Sequence, residues 1–598
     1  MRVSALKVRL ACLALGGVGA VSPAFAQVTW SQVLNFKAPA EAPSYASEVL
    51  GKTNADECFN GVGIDYAPIN PDGTCSSGQP KRNQSYVWGM AQAGVGDTSF
   101  PGDQVWFGTV ANPICGGSAT GLFPPEPNVT LSWVCEYGES MLARRPSHPL
   151  PASLGDWRMP HAYSYNMTLR QLTDRTPNDP IFQTILGLRS AGALGNVSIL
   201  AGPTFSNDVA FAAWDASTGT YRGSCRATAL NQIRQWITVN GVLYAGAGRQ
   251  AGDGVILRWR GTADNPFNGS SSVSPYCGFD VVGVLPAFPA YLANYDGKRI
   301  AASAWNKSTL DAEAGAAPPK TAISSTLSAG IYMGPPFGAD GEYTTADATA
   351  SWSRIWAPAQ YEQDPVVAVT TGAGAIAFWK GWLWFGTMQN SQSASLLHSS
   401  CTQPFCYGKP ANGNENIDLL FNVSRAASIW RARITSAGAE VQLLYGQTQL
   451  PALVPNTKTF QMQPTGWTPL YGQAGFNNPF ASYTWSVSAG DNDLLFGMYD
   501  YRYVFDTRLN ISSKPIDPVR GYGGDLWRFT DAEAPAQAES VDGLDNWATY
   551  GFRNMLRLDN GPNVIIGGAS SLNLELDGGW QLKYLVPLNP ALRSQPRH

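Results

Sequence analysis

Apolar and polar positions alternate along this chain in short bursts, and the bursts come in pairs joined by turn residues. The clearest pair runs from Asn231 to Gly261, NQIRQWITVNGVLYAGAGRQAGDGVILRWRG. It predicts a strand, a turn at Asn240-Gly241, a second strand through VLYAG, a loop, and a third strand ending in Leu257-Arg258-Trp259. Alternation with a period of two puts one face of each strand against a core. Asn-Gly between two such runs is a strong hairpin signal, because both residues tolerate the left-handed backbone of a tight turn.

The same grammar returns along the chain. YVWGM pairs with VWFGT at 105–109, and GNVSILAGPT with VAFAAWDASTGTYRG, where Ser217-Thr218-Gly219 is the turn. AYLANYDGKRIAASAW turns at Asp296-Gly297, and AIAFWKGWLWFGT turns at Lys380-Gly381 before closing in SIWRAR. YTWSVSAGDNDLLFGMYDY precedes GGDLWRF, and YGFRNMLRLDNGPNVIIGGASS precedes GGWQLKYL. Each unit is too small to bury its own apolar face, so neighbours must cover one another. Closure into a ring leaves only short, protected edges. The expected fold is all-β, a β-propeller with long disulfide-tied loop insertions. Seven blades fit, with six and eight as the adjacent counts. The glycine near the end of VLYAG, LWFGT and LLFGM serves either a close backbone approach or a positive φ. The Trp of the Leu-Trp-Arg signature is expected on an outer strand, packed between blades.

Residues 85–587 carry the repeats. Residues 27–84, rich in Asn, Asp, Gly and Pro, are expected as a loop-rich lead-in segment, and 588–598 as a C-terminal tail. A Pro-rich insertion is expected from about 112 to 180, and insertions on a rigid scaffold are where function tends to sit. The apolar run 366–386 could be mistaken for a membrane helix. Its glycines, threonines and Lys380-Gly381, in register with the other units, make it a buried hairpin.

The pattern of strand, (Asp/Asn)-Gly, LYxGT, loop and LWR, as in Tyr550–Leu585, resembles the repeats of secreted bacterial kelch-like β-propellers. The resemblance covers most of 85–587 and implies the fold. It leaves the activity open, since such propellers host enzymes, lectins and adaptors alike.

Charged residues make up 14% of the chain and hydrophobic ones 44%, which suits a large core of short strands and argues against disorder. Residues 1–26 have a basic start (Arg2, Lys7, Arg9), a short apolar core and Ala24-Phe25-Ala26, the pattern of a secretory signal. The apolar run is too short to span a bilayer, so no transmembrane segment is expected after its removal. Removal takes three of the 40 basic residues and none of the 44 acidic ones, leaving a formal charge of −7. That balance excludes nucleic acid as a partner, because phosphate binding needs clustered cations. The expected location is secreted or periplasmic. The remaining eight cysteines then read as disulfides. Proximity pairs Cys58 with Cys75, Cys115 with Cys135, Cys225 with Cys277, and Cys401 with Cys406, out of 105 possible pairings.

Catalytic signatures are scarce. The chain has no G-x-S-x-G elbow, H-E-x-x-H motif, Walker loop or C-x-x-C pair, and only four histidines. His161, beside Asp156 and Arg158, is open to a catalytic role, with a structural loop histidine as the ordinary alternative. AAWDASTGTYRG at 212–223 partly resembles the tryptophan-docking repeat of quinoprotein dehydrogenases. It occurs once and has Thr220 and Gly223 where that pattern expects Lys and Trp, so an ordinary hairpin explains it. Asp156, Asp215, Glu342 and Asp500 are candidate acids for a propeller hydrolase, which needs two carboxylates converging from different blades. Asn412, Asn414, Asn416 and Asp418 alternate in an oxygen-rich way but lack a defined calcium loop. No metal or cofactor is called for.

The positive signal is aromatic: 20 Trp, 24 Tyr and 24 Phe. Trp88, Trp485, Tyr499 and Tyr501 stand where strands meet loops, and aromatic faces near polar groups suit a sugar. Arg234 and Arg553 hold equivalent places near the start of their units' innermost strands. Facing the channel they would bind an anion, while the ordinary expectation is pairing with carboxylates of neighbouring blades. The ligand-binding candidates are thus Trp88, Arg234, Trp485, Tyr499, Asp500 and Arg553. They are expected to serve an exported binding protein that takes a glycan or a cell-surface partner on a loop-rich face, without catalysis. The alternatives are a carboxylate-dependent hydrolase or lyase acting on an extracellular polymer and, third, a quinone-dependent oxidoreductase.

Overall fold

The computed structural model describes residues 38–94, 103–118, 127–140, 156–306, 328–401, 404–503 and 522–589. The signal-like segment 1–26 lies outside them.

Strand pairing groups the described residues into four-stranded antiparallel units, one of which gains a fifth strand, Val273–Ser274, parallel to Thr220–Ala227. Their innermost strands are Gln84–Ala93, Ser190–Leu194, Leu230–Val239, Phe288–Tyr295, Thr371–Trp379, Ala481–Ala489 and Gly551–Arg557. Each packs beside the next, and Gly551–Arg557 packs against Gln84–Ala93, so the ring closes. This is a β-propeller, and its apolar clusters lie between adjacent sheets.

The local chemistry explains the elements. Asn240 and Gly241 take φ of 51° and 76°, and Lys380 and Gly381 take 46° and 78°, the paired positive values of a two-residue hairpin turn. The apolar run 366–386 is the short helix Pro365–Thr370 followed by the hairpin of Thr371–Trp379 with Trp382–Gln389. Gly246 and Gly386 resolve to close approach. A Cβ at Gly246 would strike the Pro289 carbonyl oxygen and one at Gly386 the Thr484 hydroxyl, each on the innermost strand of another sheet. The Leu-Trp-Arg signature lies on the third strand of its sheet, one in from the edge, with Trp430 and Trp527 buried.

Two expectations change. The lead-in segment 27–84 is not only loop: Tyr45–Lys52 pairs antiparallel with Gln581–Pro587 and supplies the fourth strand of the last sheet. Tyr45 is fixed there by donating its hydroxyl to Asp493 Oδ2 (2.6 Å) and its amide to Glu539 Oε1 (2.7 Å). Its strand is mostly exposed, and an edge strand without a strong apolar pattern looks like a loop from sequence. The insertion drawn from 112 to 180 ends earlier, because Ala162–Asn166 and Gln171–Asp174 are the outer strands of the first sheet.

The four cysteine pairs form as proximity predicts, with Cα separations of 5.7, 5.4, 5.7 and 5.7 Å. Cys225–Cys277 joins the outer strand Thr220–Ala227 of the second sheet to the loop before Asp280–Leu285 of the third. It therefore straps two neighbouring blades together.

Candidate functional site

Antiparallel pairing sorts the connections onto two faces. Turns between first and second strands lie on one face, short at 195–196, 240–241 and 380–381, together with the connections between third and fourth strands, which are long at 259–279 and 334–352. Connections between second and third strands lie on the other, together with the links between sheets. There the chain is long at 112–161, 306–329, 390–428 and 501–525.

The axial channel is built from the innermost strands, and irregularities in those strands decide what faces it. Pairing registers shift between Val87 and Gly89, Ile233 and Trp236, Thr484 and Ser486, and Phe552 and Asn554. The residues left over are Trp88, Arg234 with Gln235, Trp485, and Arg553. A bulge breaks the in-out alternation and re-aims the extra residue, here towards the axis.

Tyrosine and tryptophan rings fill the half of the channel near the strand starts. Tyr86 and Tyr550 are bonded through their hydroxyls, and Tyr550 also meets Ser571 Oγ at 3.0 Å. The Tyr291 and Tyr483 hydroxyls are 2.8 Å apart. Trp485 lies edge-on to Tyr86 (5.5 Å) and to Tyr499 (5.0 Å). Desolvation, reinforced by Tyr86 and then Tyr499, pushes the Tyr550 hydroxyl well above the usual tyrosine range, so it acts as a neutral donor at any physiological pH.

Three buried arginines stand among these rings. Arg234 Nη2 donates to the hydroxyls of Tyr291 (2.6 Å) and Tyr483 (2.5 Å), and its guanidinium lies 4.6 Å from the Trp305 ring centre. Arg189 donates to Gln232 Oε1 and lies over Trp88 (5.6 Å). Arg553 lies 5.8 Å from the Trp485 ring and is 4% exposed. Burial, then the charge of Arg234 and more weakly that of Arg189, presses its pKa down to about 10. Among the described residues its Nε and Nη2 have no acceptor, and neither does Trp485 Nε1. Arg557, further along the same strand as Arg553, pairs with a carboxylate, meeting Asp493 at 2.6 Å.

Arg234, Tyr291, Trp485 and Arg553 border a cavity of about 140 Å³. Its wall includes Arg234, Trp236, Tyr291, Trp485, Arg553 and Met555. Lining residues nearer the strand ends, among them Met90, Gln235, Val487 and Asn554, are partly exposed, whereas Arg234, Tyr291, Trp485 and Arg553 are buried. The cavity thus opens towards the face that carries the turns between first and second strands.

Of the six candidates, Arg234, Trp485 and Arg553 line this cavity. Trp88 borders the channel behind Arg189, and Tyr499 backs Trp485. Asp500 lies elsewhere, buried at the end of its strand. There Asn478 Nδ2 donates both to Asp500 Oδ2 (2.7 Å) and to Asp525 Oδ2 (2.8 Å). Desolvation and then the charge of Asp500 hold the Asp525 carboxyl well above the usual range. Tyr291, Tyr483, Trp305 and Arg189 escaped the sequence reading, since nothing local marks a bulge or the residue just before a strand.

The other candidates have structural partners. Both Asp156 oxygens accept backbone N–H groups, from Glu136 (2.9 Å) and Tyr137 (2.8 Å). His161 Nδ1 meets Asp174 Oδ2 at 3.0 Å. Asp215 holds its own turn through Ser217 and Arg222, within the ordinary hairpin of Val209–Asp215 and Thr220–Ala227. Glu342 pairs with Arg258 at 3.2 Å. Asn412 caps the helix Gly413–Val423, and Asn414, Asn416 and Asp418 lie on that helix, which replaces the suggestion of a calcium loop.

Pairing and channel together define the class: a ring-closed β-propeller with an axial cavity lined by arginine and aromatic rings. No family profile matches the chain, and no curated protein matches it. Solved structures similar to it include Sqt1 of Saccharomyces cerevisiae, at 8% identity and a TM-score of 0.34, covering 85% of this chain and 98% of that one. A crystal structure of the mitotic checkpoint complex shows 9% identity and a TM-score of 0.32, covering 71% and 83%. The β-propeller domain of the trilobed protease from Pyrococcus furiosus shows 7% and 0.26, covering 65% and 76%. Similarity at this level carries no argument about function, and the fold assignment stands on the strand pairings.

Proposed function

We propose that this chain is an exported, seven-bladed propeller of the kelch-like kind that binds a ligand, a glycan or a cell-surface partner, without catalysing its conversion. The observation that carries this reading is the make-up of the channel. Buried arginines and aromatic rings converge on one cavity, while none of the seven innermost strands contains an Asp or Glu. Acid–base hydrolysis needs paired carboxylates at the bond being broken, whereas a binding site needs only rings and hydrogen-bonding groups. The signal-like start and four disulfides support export to an oxidising compartment, the periplasm or the exterior. No helix of the described residues is long and apolar enough to cross a membrane.

The test is a thermal-shift and turnover screen of the mature protein against extracellular oligosaccharides and polysaccharides. Stabilisation without product release is the expected outcome. Product release would replace this reading with the carboxylate-dependent hydrolase or lyase. One observation favours that alternative: Asp500 and Asp525 share an amide donor, and burial together with the charge of Asp500 holds the Asp525 carboxyl above its usual range, as a general acid requires. Their substitution by Asn would then be the deciding variant.

A further inference from the structure

We propose that the axial cavity is a binding site for a ring-sized carboxylate, held by Arg553 and Trp485. The inference rests on the binding reading above and narrows it to a ligand class.

Three features point to this chemistry. The first is the fork. Nε and Nη2 form the edge of a guanidinium that grips two oxygens in parallel, and on Arg553 both are buried without a protein acceptor among the described residues. Trp485 Nε1, on a second buried side chain of the same wall, is a third such donor. Burying polar groups without partners costs stability, and the neighbouring positive charges of Arg234 and Arg189 raise that cost. An anion would relieve it.

The second feature is the number of donors. Ser486 Oγ donates to the Phe552 carbonyl (2.6 Å) and Asn554 Nδ2 to the Val87 carbonyl (2.7 Å), so these polar wall residues are engaged. The Nε and Nη2 edge of one guanidinium, with one indole N–H beside it, matches the two coplanar oxygens of a carboxylate.

The third is size and lining. A cavity near 150 Å³ holds a benzene-sized ring, and this one measures about 140 Å³. Trp236, Met90, Val487, Met555 and Leu556 give the ring an apolar wall. A carboxylated sugar at a glycan end and a small cyclic acid share this chemistry.

The experiment titrates the mature full-length chain with matched pairs, following tryptophan fluorescence and calorimetric heat. The probes are methyl glucuronoside against methyl glucoside, benzoate against benzamide, and inorganic phosphate. The expected result is that one carboxylate binds at least tenfold more tightly than its neutral partner, which also says whether a sugar or a simple cyclic acid is preferred. Arg553→Met should abolish that binding while raising the melting temperature of the ligand-free protein, because it removes a buried guanidinium lacking a protein acceptor. Trp485→Phe keeps the ring, should weaken binding severalfold, and tests the site even if the Arg553 variant misfolds. Equal binding of charged and neutral members would overturn the carboxylate site and leave the binding reading standing. So would an Arg553→Met variant that melts lower and binds normally, which would make Arg553 structural. Phosphate as the tightest probe would overturn the ligand class. Silence across all the probes, with a positive glycan screen, would overturn the cavity as the site.

Discussion

Trp88, Trp485 and Arg553 share a position that strict alternation hides: each is the extra residue of a bulge in its innermost strand. Their residue types could be read from sequence, and so could the equivalence of Arg234 and Arg553. Their aim could not, because one inserted residue reverses which face the rest of a strand presents. Asp525 illustrates the same limit for charge. Its upward shift comes from burial, then from Asp500, a carboxylate 25 positions away in sequence. A carboxyl raised in the folded state costs stability wherever pH exceeds its unfolded value, and the cost disappears once both states are protonated. Asp525→Asn keeps an acceptor for Asn478, so thermal melts should show the variant more stable at pH 7. That gain should shrink as pH falls towards 3. A gain that grows on acidification would contradict the assignment.

At the level of elements, hairpin turns were legible because their causes are local. Asn240-Gly241 needs only its own backbone, whereas the glycines of VLYAG and LWFGT were visible as a repeat and only the neighbouring sheets, through Pro289 and Thr484, decided for close approach. Tyr45–Lys52 was not legible. Its partner Gln581–Pro587 lies more than 500 positions away, and its own pattern is mostly exposed. A chain beginning at Asn54 would lack that strand and leave the last sheet with an open edge. At roughly 1 kcal/mol per lost ladder hydrogen bond, the loss should be on the order of 5 kcal/mol. Calorimetry and size-exclusion chromatography would show it as a lower, broader transition with added association through the freed edge. An unchanged transition would mean that the strand adds nothing to the last sheet.

Across the whole molecule, stability comes from contacts between neighbouring sheets, so links between blades matter more than links within loops. Cys225–Cys277 spans 52 positions and joins two blades, whereas Cys401–Cys406 spans five within one insertion. In the chain-entropy account, the longer loop is worth about 4 kcal/mol and the shorter about 2. Replacing Cys225 and Cys277 by Ser should therefore lower the denaturation midpoint about twice as far as replacing Cys401 and Cys406. Equal losses would show that the bridge between blades adds nothing beyond local closure. Both faces carry long connections, and the cavity opens on the one that holds the turns between first and second strands.

By itself the sequence determined the all-β character, the order of the repeating units, their turns, the nearest-neighbour cysteine pairs and the supply of aromatic residues. Each of these depends on residues close together in the chain, through periodicity, backbone preference or short loop closure. The tertiary structure alone decided which strand completes the last sheet, which face the cavity opens on, and that Arg234, Trp485 and Arg553 share one wall. These depend on registers, bulges and desolvation set by partners far along the chain, and no local pattern encodes them.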